Sequence, residues 1–538
     1  MTMFFGTRSL WYEIEIPQRI LKKRFNDYLG EKNREIRTRS EAVQLLDTLI
    51  KKIQLNMRIR MKDTDSRVLI GQLHSIFAKV YKVYIEQKEA RQVMKSLNIR
   101  DGEALEMFEV NKQISKCLLD GVSVWIENAL LFQNIGEATY YQSNEINTEL
   151  LVDAYLYGVA SMNFSLLHMS DLKGLGAREF FYGLDITPNK DIPIQAHRDH
   201  PITYDNPIIT GNQGNLYSDE EFKYANSMEI GKKFKDKYGL SFLSYMAILY
   251  GLPQYGLKEY MSKYEFTQLI ENLGIEEVNS DVVYNNLTLK EGDVVTHLRA
   301  NDNFIWTVET NEHRVSLKPF IQLNSGYIMT NVQLLKRAMD TWTSYLLNGG
   351  AVYAKNPIDD LLTAFQSRNK ELGDRLVTLT RDILRKNYNG TIDEIEVRYS
   401  TIWGKREIDY GDFDVMFYSK ETNELFLIEA KYICDSLNSS SMVSDYDKMF
   451  RDKGYYFKCR RRYNLVLSEP DKLKKHIGAT EGEVNVHFLF ITSKPLEIEL
   501  QDEDDVVTFI SLEMFESYIK GQYVSEDGVR TIRPIYKI

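Results

Sequence analysis

Gly411-Asp412-Phe413-Asp414-Val415-Met416-Phe417-Tyr418-Ser419 is followed by the polar turn Lys420-Glu421-Thr422-Asn423-Glu424 and then by Leu425-Phe426-Leu427-Ile428-Glu429-Ala430-Lys431. Two apolar runs around a short polar turn read as a β-hairpin. Their nearly continuous apolar flanks predict strands buried on both faces. Glu429 and Lys431 are two residues apart, so strand alternation sends both side chains to one face, and a tight hairpin brings Asp414 beside them. Charges in such a setting are costly unless they are paired or bound to metal. Asp414 and Glu429 offer hard oxygen ligands of the kind that suit Mg²⁺ or Mn²⁺, with water and substrate phosphate filling the remaining positions. Lys431 would position a water or neutralise developing charge.

Outward from the hairpin, Leu372, Leu376, Leu379 and Ile383 mark the apolar face of a preceding helix, and residues 392–399 form a strand. After the hairpin come a basic, helix-compatible stretch over 442–467, strands over 484–492 and 506–511, and a closing helix over 512–520. The predicted order is αβββαββα.

This order, the G-D-x-D-V run and the E-x-K on the next strand resemble the PD-(D/E)XK nuclease superfamily, the restriction-endonuclease-like fold, over roughly residues 357–525. The resemblance implies that Asp414 and Glu429 ligate the metal and that Lys431 is the catalytic lysine. It also implies a glutamate on the first helix, for which Glu371 is the first candidate and Asp374 the second. Anchoring the match on Ile383-Leu384-Arg385-Lys386 puts that position near Val377, and Phe413 stands where the family often has proline. The implied activity is phosphodiester hydrolysis, of DNA before RNA, and many members act in prokaryotic defence against foreign DNA.

Lys458, Arg460, Arg461 and Arg462 follow Tyr455-Tyr456-Phe457, inside a stretch (442–476) where ten Lys or Arg face five Asp or Glu. The chain as a whole has 67 basic against 77 acidic residues, a net charge of −10, which excludes a uniformly basic nucleic-acid coat and leaves local patches to do such work. The four bases are therefore read as a phosphate-binding patch beside the metal site. Residues 19–39 carry eight Lys or Arg and three acids, and read as an exposed helical face. The pair His197 and His200 and the run Gly211-Asn212-Gln213-Gly214 lack the further residues that a metal or nucleotide site requires.

The 538 residues suggest several domains in a multidomain α+β chain. Residues 1–173 read as a helix-rich region, with Ala42, Leu45, Leu46, Leu49, Ile50 and Ile53 at spacings of three and four. Residues 174–281 read as a loop-rich connector followed by helices, 282–356 as a small strand-rich module with a closing helix, and 357–538 as the nuclease-like α/β domain with a mixed central sheet. Residues 150–170 have the length of a membrane span but carry Asp153, Asn163 and His168, so a buried helix is expected and no membrane partner. Cys117, Cys434 and Cys459 form no C-x-x-C pair, and residues 1–10 lack the layout of a secretory signal, so a cytoplasmic location is expected. A second copy of the chain or a regulatory protein remains open as a partner. The alternatives to a nuclease are a non-catalytic nucleic-acid-binding or assembly protein on the same scaffold, and an effector held inactive until a partner arrives.

Overall fold

The computed structural model describes residues 18–29, 35–36, 39–96, 102–136, 146–168, 176–180, 183–187, 194–195, 229–275, 278–294, 312–348, 360–433, 448–449, 454–493, 499–500, 507–521 and 536–538. It is a mixed α+β chain of two compact units. One comprises Met1–Asn189, Asp219–Phe365 and Ser436–Val443; the other comprises Lys190–Ser218, Gln366–Asp435 and Ser444–Ile538.

The first unit begins with helices α1 (Gln18–Leu29), α2 (Arg39–Asp63), α3 (Ser66–Ser96), α4 (Gly102–Leu131) and α5 (Thr148–His168), with β1 (Glu35–Ile36) between α1 and α2. Ala42, Leu46, Leu49, Ile50 and Ile53 are buried on α2, as the three-and-four spacing predicts. Helices α4 and α5 cross closely, because a Cβ on Gly158 would stand 2.0 Å from the Cys117 carbonyl oxygen and one on Gly121 2.3 Å from that of Ala154. On α5 the buried Asp153 accepts hydrogen bonds from Tyr28 Oη (2.7 Å) and Asn56 Nδ2 (3.1 Å), with Arg24 at 3.6 Å. This polar group is satisfied by α1 and α2 within a protein core. Among the described residues no helix is long and apolar enough to cross a membrane.

Part of the stretch expected to be a connector is ordered sheet. Strands β2 (Gly176–Phe180) and β3 (Gly183–Thr187) form an antiparallel hairpin that pairs with β1. The prolines and glycines that prompted the loop reading, Pro188, Pro193, Pro201, Pro207, Gly211 and Gly214, lie outside the described residues, as do His197 and His200. The next described strand, β4 (Ile194–Gln195), belongs to the second unit.

The first unit resumes with α6 (Glu229–Tyr238), α7 (Phe242–Gly251), β5 (Tyr260–Ser262), α8 (Lys263–Asn272), α9 (Ser280–Leu287), β6 (Thr288–Leu289), β7 (Phe320–Gln322), β8 (Tyr327–Met329) and α10 (Val332–Asn348). The strands form a mixed sheet in the order β5-β8-β7-β6. Phe234, Phe242, Tyr245 and Trp342 meet in its core. Residues 282–287, read above as the start of a strand-rich stretch, are helical instead. Asn279 caps α9 by accepting from the backbone N–H groups of Asp281 (2.9 Å) and Val282 (3.2 Å), and this local cap outweighs the β preference of Val282 and Val283. Residues 295–311 of the stretch read as strand-rich lie outside the described residues.

The long helix α11 (Asp360–Asn387) leads into the second unit, which continues with β9 (Ile392–Arg398), the short α12 (Tyr399–Trp403), β10 (Asp412–Ser419), β11 (Glu424–Lys431), α13 (Tyr455–Ser468), α14 (Pro470–His476), β12 (Asn485–Thr492), β13 (Glu499–Leu500), β14 (Thr508–Ser511), α15 (Leu512–Ile519) and β15 (Tyr536–Lys537). The sheet order is β14-β12-β11-β10-β9, with β15 on β12. Strands β9, β10 and β11 are antiparallel, whereas β11, β12 and β14 run parallel, so the central sheet is mixed as expected.

Val415, Met416, Phe417, Leu425, Phe426, Leu427 and Ile428 are all fully buried. At about 1.5–3 kcal/mol for each large side chain, this hairpin anchors the unit. Asn423 takes the left-handed conformation (φ 56°) that the tight turn requires. From residue 372 to the end of α11 the buried positions are Leu372, Leu376, Thr380 and Leu384, an i, i+4 row that the predicted face of Leu379 and Ile383 only flanks. Arg381 and Arg385 of this helix both bind Asp393 at the start of β9. Although burial alone would raise it, the two guanidiniums hold the Asp393 carboxyl below its ordinary range.

Candidate functional site

The pairing of Val415 with Ile428 puts β10 and β11 in the register that sets Asp414 beside the Glu429-Ala430-Lys431 end of the neighbouring strand. Asp414 Oδ2 accepts from the Ala430 backbone N–H at 2.7 Å and from Lys431 Nζ at 2.9 Å. The same ammonium lies 2.7 Å from Glu429 Oε1 and 5.3 Å from the centre of the Tyr455 ring. The three residues that the sequence singled out are thus brought together.

A fourth residue completes the cluster. Arg462 of α13 is buried, pairs through Nη2 with Glu429 Oε2, donates from Nη1 to the Tyr410 carbonyl at 3.0 Å, and lies over the Phe413 ring with its central carbon 4.9 Å from the ring centre. This corrects its assignment to a phosphate-binding patch. Tyr456, Cys459, Arg462, Tyr463 and Val466 share the buried face of α13, and the Tyr463 hydroxyl donates toward the carbonyls of Leu427 (3.0 Å) and Leu489 (2.6 Å), fixing the helix over β11 and β12. Lys458 and Arg461 face outward and Arg460 is half-buried, so one run of bases divides between core and surface by helical period alone.

Glu371 is placed differently from the triad. It sits half-exposed on α11, with Oε1 3.2 Å from Arg368 one turn earlier. Asp374 is exposed and Val377 half-buried on the same helix. Closer in register to Asp414 is Glu396, between the pairs Ile395–Val415 and Val397–Phe413, and its backbone takes the left-handed conformation (φ 52°) that a non-glycine residue rarely adopts. Nothing in the local sequence signals that distortion.

The electrostatics follow from burial and proximity. Desolvation, reinforced by the negative charge of Glu429, pushes the Asp414 carboxyl up to about 6, against the opposing pull of Lys431. Burial alone would lower the Lys431 ammonium, but Glu429 and Asp414 raise it well above its ordinary value, so it stays protonated. Arg462 is raised in the same way: burial opposes the charge, and Glu429 outweighs it.

Two neighbouring carboxylates in a desolvated position are a donor set that fits Mg²⁺ or Mn²⁺, ions that use one or two carboxylates and keep water or phosphate for their other positions. Among the described residues no group of three or more His, Cys, Asp or Glu converges, so protein ligands beyond this pair are not supplied by such a cluster.

Comparison of the chain with family models, with curated proteins and with solved structures finds no match.

Proposed function

We propose that the chain is a metal-dependent nuclease of the PD-(D/E)XK type that hydrolyses phosphodiester bonds, of DNA in preference to RNA, in defence against foreign DNA. The observation that carries this reading is the convergence of Asp414, Glu429 and Lys431 on adjacent central strands, with the ammonium within hydrogen-bond distance of both carboxylates. The mixed sheet and the order of its flanking helices support it.

In this reading Asp414 and Glu429 would hold Mg²⁺ or Mn²⁺, which when bound supplies Lewis acidity toward a phosphoryl oxygen and a more acidic water. Lys431 is read as an ammonium donor and not as the base, since in the metal-free site Glu429 and Asp414 favour its charged form. Its ammonium instead orients the attacking water and offsets the negative charge that grows on the phosphoryl oxygens as the new P–O bond forms and the bond to the leaving sugar oxygen breaks. Lys458 and Arg461, exposed on the outer face of α13, would hold the flanking phosphates.

The test is incubation of the purified chain with linear duplex, closed-circular and single-stranded DNA and with RNA, in Mg²⁺, in Mn²⁺ and in EDTA. Metal-dependent cutting of DNA is the expected result. Binding without cutting under every condition would favour the non-catalytic scaffold, a reading that draws support from the balance of two acids by Lys431 and Arg462.

A further inference from the structure

The contacts of Lys431 and Arg462 with Glu429 differ in kind. Lys431 is the more exposed of the two, with 23% of its side chain accessible against 3% for Arg462. Its ammonium hangs on a flexible stem, and its polar contacts here are with the carboxylates themselves. Arg462 is anchored independently of Glu429, by the Tyr410 carbonyl at 3.0 Å and by the Phe413 ring.

The backbone ahead of β10 is also shaped around it. Gly411 adopts φ 77°, stabilised by a hydrogen bond from its N–H to Asp409 Oδ1 at 3.0 Å, and a Cβ at this position would stand 2.9 Å from Arg462 Nη1. Position 411 therefore requires glycine both for its conformation and for the space that the guanidinium occupies.

A planar guanidinium fixed at three points holds one carboxylate oxygen in a set direction, which an ammonium cannot do. We infer that Arg462 is the positioning residue of the site: it permanently engages Glu429 Oε2 and thereby presents Oε1, the oxygen now held by Lys431, to an incoming divalent cation. A divalent cation held by Asp414 and Glu429 would take the place of Lys431 at Oε1, with Arg462 still on Oε2. This inference rests on the nuclease reading given above, and it assigns Arg462 a role distinct from both phosphate binding and blockade of the site.

The test measures Mn²⁺ binding to the full chain by calorimetry, with thermal unfolding without metal as a fold control, in wild type, Arg462→Lys and Arg462→Met. Outer-shell partners of metal ligands contribute about 10- to 100-fold to affinity, and a loss of that size is expected in both variants. Arg462→Lys retains the charge but loses the Tyr410 and Phe413 contacts, so it should unfold below wild type and above Arg462→Met, and its Mn²⁺ affinity is read at a temperature where the unfolding control shows it folded. Mn²⁺ affinity in Arg462→Lys equal to or tighter than wild type would overturn the inference, tighter binding being the signature of a guanidinium that competes with the cation. If wild type itself binds no Mn²⁺, the nuclease reading fails first and takes this inference with it.

Discussion

Each unit of the chain buries an arginine–glutamate pair, and the two pairs differ in what surrounds them. In the first unit Glu127 Oε1 accepts from Arg314 Nε at 2.7 Å and from the Val315 backbone N–H at 3.0 Å, with the glutamate side chain wholly inaccessible. In the second, Glu429 is bound by Arg462 at Oε2 and by Lys431 at Oε1, and Asp414 stands next to it with part of its surface open. The first pair is enclosed, with both contacts on Oε1 and the buried Oε2 of Glu127 left without a hydrogen bond among the described residues. The second has an extra carboxylate and an ammonium that is partly exposed, so its charges are accessible to those of a ligand. A buried ion pair by itself therefore indicates architecture, and the crowding of a second acid beside it is what points to chemistry.

The largest expected effect separates these roles within the site. Asp414→Ala should eliminate cleavage and strongly weaken Mn²⁺ binding in calorimetry, at a cost of about 1–3 kcal/mol in folding stability, because it leaves the Ala430 N–H without its acceptor. Lys431→Ala should lower the rate by about 100- to 1000-fold, as loss of one preorganised charge donor does. Its metal affinity should be retained or increased.

The next effect makes the two regions behave alike. Glu127→Ala and Glu429→Ala each strand a buried guanidinium, so each should cost about 3–5 kcal/mol in denaturant unfolding. Only Glu429→Ala should also abolish Mn²⁺ binding. Glu429→Gln, which keeps an acceptor for Arg462, should regain much of the stability without regaining the metal. Equal loss of metal affinity in the Glu127 variant would erase the distinction between the pairs.

These variants also show where sequence reading succeeds. Strand alternation and the apolar flanks of 415–418 and 425–428 were enough to place Asp414, Glu429 and Lys431 together, because register in a tight hairpin is a local property. Arg462 is buried although four bases in five positions resemble a surface patch. The spacing of Tyr456, Cys459, Tyr463 and Val466 holds the signal that 462 lies on the buried face while 458 and 461 do not. The Glu127–Arg314 pair had no such signal, since its members are 187 residues apart and only tertiary packing joins them. The cap at Asn279 is a different case: the N-cap residue is local and legible, but it competes with the β preference of Val282 and Val283 that the strand-rich reading of 282–356 follows.

A smaller effect concerns the surface of α13. Lys458→Ala combined with Arg461→Ala should weaken DNA binding and reduce the salt slope of log K by about 0.9 for each phosphate that is no longer neutralised. An unchanged slope in salt titrations would make these residues an ordinary solvated face.

The smallest effect lies in the first unit, at the cap of α8. The Ser262 hydroxyl accepts from the Glu265 backbone N–H at 3.2 Å, and the Glu265 carboxylate accepts from the Ser262 N–H at 2.8 Å. Ser262→Ala should cost about 1 kcal/mol. Lys258, followed by the Ser262 hydrogen bonds, holds the Glu265 carboxyl down at about 2, so its contribution is complete above the ordinary value near 4.5 and is lost as pH falls toward 2. The stability difference between wild type and Glu265→Gln, measured by denaturant unfolding across that range, should shrink with acidification and leave Mn²⁺ binding untouched.

The most direct test of the central claim is the fate of closed-circular DNA incubated with wild type and with Asp414→Ala, each in Mg²⁺ and in EDTA. The account predicts nicked or linear product with wild type in Mg²⁺ alone, and intact circles in the other three reactions. Cutting by Asp414→Ala at the wild-type rate, or intact circles in all four reactions, would contradict it.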